Sequence, residues 1–224
     1  MESSLHQQLK AHYAGPDCRC ESRVGRFRID VESPSELIEI QQAGLGAIRA
    51  KIGELLERHR VRVVWPLVQR KWIVKVDRRG NPTGKRRLSP RRGTIFDLFE
   101  DWIHFASVFP HERLVVEIAR IDIEEWRRPE RRRGWRRKDY RVVDRKLVAH
   151  HGAHELHSPN DLLDLLPDCD ALPHPFGTRE LAQRLGVARW QAQQIAYCLR
   201  HCHALQVVGK QGNALQYVVA REAA

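Results

Sequence analysis

The hydrophobic period of this chain changes from two to about 3.6 and back again within its first third. Residues 26–31 alternate apolar and charged side chains, and residues 37–41 repeat the alternation, which is typical of half-buried strands. From residue 45 to about residue 59 the apolar side chains instead recur every three or four positions, as on one face of a helix. Residues 60–68 and 71–76 are rich in apolar side chains and are predicted as two further strands. Strands on both sides of a helix predict an α/β fold with a mixed central sheet and flanking helices.

The remaining signals complete a first domain over residues 1–150. The patterns predict a helix over residues 4–13, a strand over 19–24, a helix over 95–109 that Thr94 caps, and strands over 114–123 and 140–148. The last two strands would form a long hairpin with a charged tip. Residues 150–159 are polar and lack a period, and they are predicted to be a linker.

The C-terminal residues show a helix, a short glycine-containing turn, a second helix and a hairpin. Thr178 is predicted to cap the first of these helices, and residues 189–203 form the second. Residues 206–208 and 215–219 are predicted strands on either side of a glycine-rich turn. This order is that of a winged helix-turn-helix. A small C-terminal winged-helix domain is therefore predicted over residues 158–224.

The charge of the chain indicates a polyanionic partner. There are 39 Lys and Arg residues against 28 Asp and Glu, a formal net charge of +11. A surplus of this size favours nucleic acid or an anionic membrane. No apolar stretch approaches the length of a spanning helix, and the N-terminus lacks a basic region followed by an apolar run. We therefore expect a cytoplasmic protein that binds nucleic acid and no membrane.

The five cysteines favour free thiols over a disulfide framework, because their number is odd and their positions are scattered. Cys18 and Cys20 could combine with Cys198 and Cys202 as four zinc ligands, but neither spacing matches a zinc knuckle. Cys198 and Cys202 also fall on the apolar face of a predicted helix. Buried structural thiols are therefore the favoured interpretation.

Two carboxylates lie on neighbouring predicted strands. If the apolar side chains of residues 26–31 and 37–41 face the core, Asp30 and Glu39 both point away from it. Two carboxylates on one face can share a hard divalent cation. Such an ion can bind a phosphate oxygen and lower the pKa of an attacking water, as phosphodiester hydrolysis requires. The alternative is an ordinary solvated sheet face, in which these residues lie among arginines.

The pattern Asp30-x8-Glu39-x-Gln41 resembles that of the PD-(D/E)XK nuclease superfamily, and the resemblance covers roughly residues 1–76. It implies a restriction-endonuclease-like sheet, with Asp30 and Glu39 as ligands of Mg2+ or Mn2+. Glu21 would correspond to an additional acidic residue that many members carry upstream. Most members have Lys at the position of Gln41, and an amide there can orient the attacking water but brings no charge.

Two basic loops, residues 77–93 and 127–138, are predicted to contact phosphates rather than to be simple solvated turns. The candidate contacts are Arg86, Arg87, Arg131, Arg132, Arg133 and Arg136. Trp126, Trp135 and Tyr140, in or beside the second loop, could stack on unpaired bases. In the winged helix, Arg189 and Gln193 would enter a major groove, where Arg reads guanine and Gln reads adenine.

The predicted function is metal-dependent hydrolysis of phosphodiester bonds in nucleic acid, with DNA as the favoured polymer. The resemblance alone implies a role in defence against foreign DNA. The alternative is a non-catalytic regulator or accessory subunit that binds nucleic acid and keeps the fold, because Gln41 replaces the usual lysine. The winged helix could also form a homodimer or bind a partner protein instead of DNA.

Overall fold

The computed structural model describes residues 2–42, 44–130, 139–167 and 171–220. The chain divides into two compact units. The first unit comprises Met1–Gln42, Arg62–Thr94 and Glu117–His154, and the second comprises Ala43–Val61, Ile95–Val116 and Glu155–Ala224. The boundaries predicted from the sequence, residues 1–150 and 158–224, stay a prediction.

A seven-stranded mixed sheet forms the first part of the fold, with helix α1 packed on it. The elements are α1 (Ser4–Tyr13), β1 (Arg19–Val24), β2 (Phe27–Glu32), β3 (Leu37–Ile40), β4 (Val61–Lys75), β5 (Arg87–Leu88), β6 (Leu114–Pro129) and β7 (Tyr140–Leu156). The strand order is β1-β2-β3-β4-β6-β7, and β5 pairs with β4. β1, β2 and β3 are antiparallel neighbours. The predicted α/β class with a mixed sheet is confirmed.

The core of the first unit lies between α1 and one face of the sheet. Ser3 caps α1 by accepting a hydrogen bond from the His6 backbone N–H. Leu5 and Leu9 of α1 are buried, and they pack against apolar residues of four strands: Val31, Ile38, Ile40, Val64, Ala119, Ile121 and Ile123. Burying a side chain of this size contributes about 1.5–3 kcal/mol, so this packing fixes α1 on the sheet.

Three strands of the sheet are longer than predicted, and one of them is β6, which continues to Pro129 instead of ending at residue 123. Residues 60–68 and 71–76 belong to one strand, β4, because the polar residue Arg70 continues the sheet instead of ending it. Its backbone N–H donates a hydrogen bond of 2.9 Å to Asp122 of β6, and its guanidinium donates a second one of 3.1 Å. The predicted linker after residue 150 is also wrong, since β7 continues to Leu156. There Arg120 of β6 donates to the carbonyl of His151 at 3.1 Å.

The second unit consists of helices and a two-stranded hairpin. Its elements are a 3-10 turn (Leu45–Ile48), α2 (Arg49–Leu56), α3 (Asp97–Trp102), α4 (Pro159–Asp164), α5 (Thr178–Leu185), α6 (Arg189–His201), β8 (Leu205–Gln211) and β9 (Ala214–Val219). β8 and β9 are antiparallel. No described helix is both long enough and apolar enough to cross a membrane.

Two helix starts in the second unit differ from the prediction. The helix expected over residues 95–109 is the short α3, and Phe96 rather than Thr94 precedes it. At α5 the N-cap is Gly177 instead of Thr178, and the Glu180 side chain accepts a hydrogen bond of 2.9 Å from the Gly177 N–H. A carboxylate in the first turn satisfies a free helical donor as well as a hydroxyl cap would.

The centre of the second unit is aromatic and contains two thiols. Trp102 is fully buried, and its ring packs edge-on against Phe105 and Phe109. Its indole N–H donates to Sγ of Cys202 at 3.1 Å. Cys198 is also buried, and burial raises the pKa of Cys198 to about 12 and that of Cys202 to about 11. These two cysteines are therefore buried thiols, as predicted, but the prediction is wrong for Cys20, which is exposed.

Candidate functional site

The carboxylate of Asp30 is held by partners on two elements. Its Oδ1 atom lies 2.9 Å from Nε2 of His6 in α1, and its Oδ2 atom accepts a hydrogen bond of 2.8 Å from the Ile40 backbone N–H at the end of β3. The β2–β3 pairing joins Val31 to Ile38, so Asp30 lies just beyond it and satisfies a donor of the neighbouring strand. Burial favours the neutral acid, but the hydrogen bonds from His6 and Ile40 outweigh it and hold the pKa of Asp30 below its usual value.

Glu21 lies in a chain of alternating charges. Its carboxylate forms ion pairs with Lys10 of α1 and Arg28 of β2. The Lys10 side chain is only 7% exposed and also lies 2.5 Å from Glu2. Glu2 in turn lies 3.3 Å from Nε2 of His6. His6 and Lys10, one turn apart on α1, therefore place basic groups beside the carboxylates that the sequence predicted as a site.

The other two predicted catalytic residues lie at the end of β3. Glu39 is buried, with 9% of its surface exposed. Gln41 follows the strand, and its backbone N–H donates a hydrogen bond of 2.9 Å to the Val64 carbonyl of β4. The roles of Glu39 as a metal ligand and of Gln41 as a water-orienting residue stay predictions.

Metal binding can be judged by the arrangement of donors. Over the described residues, no group of three or more His, Cys, Asp or Glu side chains is placed to hold a metal ion. Both oxygens of Asp30 already accept hydrogen bonds. A divalent cation at this carboxylate would have to bind beside His6 or in its place, and would need further oxygen ligands, since Mg2+ requires near-octahedral coordination. Mg2+ or Mn2+ at Asp30 and Glu39 stays a prediction.

The predicted phosphate contacts of the first basic loop are partly engaged within the protein. The guanidinium of Arg86 lies 5.1 Å from the centre of the Trp72 ring and donates a hydrogen bond of 2.7 Å to Glu124. Arg87 is exposed in β5 and pairs with Ile73 of β4. The other candidate contacts, Arg131, Arg132, Arg133 and Arg136, lie outside the described residues together with Trp135.

The aromatic residues beside the second loop have cations on their faces. Nζ of Lys146 lies 3.7 Å from the centre of the Trp126 ring, and the guanidinium of Arg127 lies 3.9 Å from the centre of the Tyr140 ring. Each contact is a cation–π interaction, worth about 0.5–2 kcal/mol. A base could stack on these faces only after the cation has moved away. No local pattern in the sequence indicates these pairs, because each joins residues on two different strands.

A polar cleft in the second unit brings the two other predicted residues together. Arg189 and Gln193 lie one turn apart on α6 and line the same cleft. Gln211 and Asn213 line it from the β8–β9 turn, and the cleft has a volume of about 480 Å³. Neither turn residue was predicted to contribute.

The solvent side of α6 carries large side chains that the sequence analysis did not single out. Trp190 is 54% exposed and Tyr197 is 40% exposed. The Tyr197 ring lies 4.2 Å from the ring of His201 and 5.8 Å from the guanidinium of Arg200. Both rings leave apolar surface exposed on this side of the helix. A helical wheel of residues 189–201 would have shown this face, because the buried residues occupy the opposite one.

An isolated β-bridge lies beside the β8–β9 hairpin. Phe176, just before α5, forms an isolated antiparallel bridge with Tyr217 of β9. Its N–H donates to the Tyr217 carbonyl at 3.0 Å, and the Tyr217 N–H donates to the Phe176 carbonyl at 2.8 Å. A single paired residue has no period, so the sequence could not reveal it.

A family model described as "Domain of unknown function (DUF8091)" matches residues 3–157. The chain belongs to this family. The chain is also similar to an "Uncharacterized protein" of Treponema pallidum (strain Nichols), with 31% identity over 183 residues that cover 81% of this chain and 72% of the relative. No solved structure matches the chain.

The DUF8091 match contains the sheet and ends one residue after β7. Asp30, Glu39 and the charges around them therefore belong to the DUF8091 domain. Helices α4, α5 and α6 and the β8–β9 hairpin follow the match. The polar cleft of Arg189 and Gln193 is thus carried by a segment outside the DUF8091 domain.

Proposed function

We propose that this protein binds duplex DNA, and that residues 158–224 contact the duplex as a winged helix. The order of elements in this segment supports the proposal. Winged helices have three helices, a short first strand and a two-stranded wing, and the segment contains α4, the Phe176 bridge, α5, α6, β8 and β9 in that order. Gly186 supports it further. It ends α5 in a left-handed conformation, with φ of 63°, and so allows the tight turn between α5 and α6.

The cleft between α6 and the hairpin is the observation that carries the proposal. In a winged helix the second helix of the pair enters the major groove, and the hairpin contacts the backbone beside it. Arg189 and Gln193 have the side chains that read guanine and adenine edges. Gln211 and Asn213 share the cleft with them and can donate hydrogen bonds to phosphates. The net charge of +11 favours the same partner.

Fluorescence anisotropy with labelled duplexes of varied sequence tests this proposal. Arg189→Ala and Gln193→Ala should each weaken the binding free energy for preferred sequences by about 1–3 kcal/mol and reduce the discrimination among sequences. Arg58→Ala is the matched control, because Arg58 is exposed in the second unit and does not line the cleft. It removes the same charge and should leave sequence preference unchanged.

Two results would contradict DNA binding through the cleft. The first is an unchanged sequence preference in both cleft variants. The second is a loss of self-association in Arg189→Ala or Gln193→Ala while duplex affinity stays at the wild-type value, which would assign the cleft to protein contacts. A salt titration separates specific from purely electrostatic binding, since each phosphate contact adds about 0.9 to the slope of log K against log salt.

A nuclease activity of the first unit is our second proposal. The observation that favours it is the element order, in which a helix and an antiparallel β1–β2–β3 meander precede α2 and carry Glu21, Asp30 and Glu39. This order resembles that of PD-(D/E)XK nucleases. The proposal requires that a cation bind Asp30 beside His6 or in its place. Cleavage of plasmid DNA with Mg2+ or Mn2+, abolished by EDTA and by Glu39→Ala, would support it.

A further inference from the structure

A second cavity lies within the first unit, on strands β4, β6 and β7. It has a volume of about 220 Å³. The residues that line it are Leu5, Gln42, Pro66, Val68, Lys71, Ile123, Glu125 and Arg145. One part of this wall is apolar and the other part carries charge, so the cavity is suited to a ligand with an apolar and a charged portion.

Three basic side chains meet at the charged end of the cavity around one carboxylate. Arg127 donates to Oε1 of Glu125 through Nε at 2.7 Å and approaches it with a second nitrogen at 2.6 Å. Arg145 donates to Oε2 at 3.2 Å. Lys71 lies 3.9 Å from the same oxygen, which is too long for a hydrogen bond. Glu125 holds the arginines in place but neutralises only one of the three positive charges.

One buried donor and one partly exposed ammonium lie at this cavity without a close acceptor among the described residues. Nε2 of Gln42 is buried and has no hydrogen-bond partner within the described part of the chain. The side chain of Lys71 is 23% exposed, and its ammonium makes only the 3.9 Å contact with Glu125 among the residues that the structure describes. Burial and the neighbouring arginines lower the pKa of Lys71. A bound anion would relieve that electrostatic cost and would accept hydrogen bonds from both donors.

We propose that this cavity binds a terminal phosphomonoester together with one ring of the nucleoside that carries it, as in a nucleoside monophosphate or the 5′-phosphorylated end of a nucleic-acid strand. The phosphate lies between Lys71, Arg145 and the Gln42 amide, and the ring packs on Pro66 and Val68. The volume of about 220 Å³ is below the roughly 300–1,000 Å³ of pockets that enclose a drug-sized ligand. It therefore accommodates one phosphate and one ring, and not a dinucleotide. The site is separate from the polar cleft and does not depend on the proposed DNA contact.

Isothermal titration calorimetry of the full chain tests the site with inorganic phosphate, adenosine and adenosine 5′-monophosphate. The monophosphate should bind more tightly than either part alone. Lys71→Gln and Arg145→Gln should each weaken it about tenfold or more, because each removes a charge-assisted hydrogen bond. Lys75→Gln is the matched control: it removes the same charge from an exposed position of the same strand and should bind like wild type.

The proposal is overturned if neither phosphate-bearing probe binds, or if Lys71→Gln and Arg145→Gln both bind the monophosphate as wild type does. If Lys71→Gln does not fold, as judged by circular dichroism, the affinity of Arg145→Gln for the monophosphate still tests the proposal, because the side chain of Arg145 is 42% exposed. Saturating monophosphate should leave the affinity for duplex DNA unchanged, so this site and the DNA contact can fail separately. Tighter binding of a 5′-phosphorylated single strand than of its 5′-hydroxyl form identifies a strand end as the ligand. Equal binding of the two strands identifies a free nucleotide.

Discussion

Replacing Asp30 distinguishes a structural carboxylate from a metal ligand. In the structure its oxygens accept hydrogen bonds from His6 and from the Ile40 N–H, and its side chain is only 14% exposed. Asp30→Ala removes a hydrogen bond to a charged group, worth about 1.5–3 kcal/mol, and leaves the Ile40 donor without an acceptor, which costs about 1–3 kcal/mol. Because the two losses overlap, we expect a destabilisation of about 2–4 kcal/mol.

The assay is thermal unfolding followed by circular dichroism. For a chain of this length 1 kcal/mol lowers Tm by about 2–4 °C, so Asp30→Ala should unfold about 4–16 °C below wild type. Asp30→Asn is the matched control, because its amide oxygen can still accept from Ile40 while the charge is lost. Its Tm should lie between those of wild type and Asp30→Ala.

The pH dependence provides a second check on Asp30. Its pKa is lowered in the folded protein, so its charged form contributes stability above the unfolded-state pKa, and this contribution is lost as pH falls through the folded-state value. The difference in Tm between wild type and Asp30→Asn should therefore be largest near neutral pH and should shrink in acid. A difference that grows as pH falls would contradict this reasoning.

A metal-dependent result would refute the structural role. If Asp30 and Glu39 repel one another until a cation binds, Asp30→Ala should have an unchanged or higher Tm. Mn2+ should then stabilise wild type by about 2.7 kcal/mol at a concentration of about one hundred times Kd, and should not stabilise the variant. These two observations together would establish a metal site and support the nuclease proposal.

Three further predictions concern stability and reactivity. Trp102→Ala should destabilise the protein by about 3–5 kcal/mol in urea unfolding, since the ring is fully buried, and a loss below about 1 kcal/mol would show that the aromatic centre is not required. A thiol reagent at pH 8 should label the exposed Cys20 quickly but leave Cys198 and Cys202 unmodified until denaturant is added, because their raised pKa values keep them protonated; rapid labelling of either in the native protein would contradict their burial. Gly186→Ala should lower the free energy of unfolding by about 1–2 kcal/mol, measured as a lower Tm, because alanine is strained at a φ of 63°. An added Cβ meets no atom there, so the backbone conformation is the only cause of the loss. An unchanged Tm would mean that the α5–α6 turn has another geometry.

The elements that the sequence predicted best are those with both a clear period and a local stop signal. Helix α1 and strand β1 have the predicted bounds, Ser4–Tyr13 and Arg19–Val24. Gly15 and Pro16 separate the two, and Gly25 ends β1 with a positive φ of 57°. Where polar residues interrupted a strand, prediction failed. The interruption at Arg70 is compensated by Asp122, which is distant in the chain, so no local pattern could show that β4 continues.

The candidate sites show the same difference between local patterns, which the sequence reveals, and tertiary contacts, which it does not. Strand alternation predicts which face a side chain occupies, and it predicted Asp30 and Glu39 on the same face of neighbouring strands. It does not predict which helix packs above that position, and α1 places His6 and Lys10 there. A pair of carboxylates suggests a cation site only while its charge is uncompensated. At Asp30 the neighbouring group, which compensates the charge when it is protonated, is a His side chain 24 residues away, so the choice between metal ligand and structural acceptor depends on a tertiary contact that the motif does not contain.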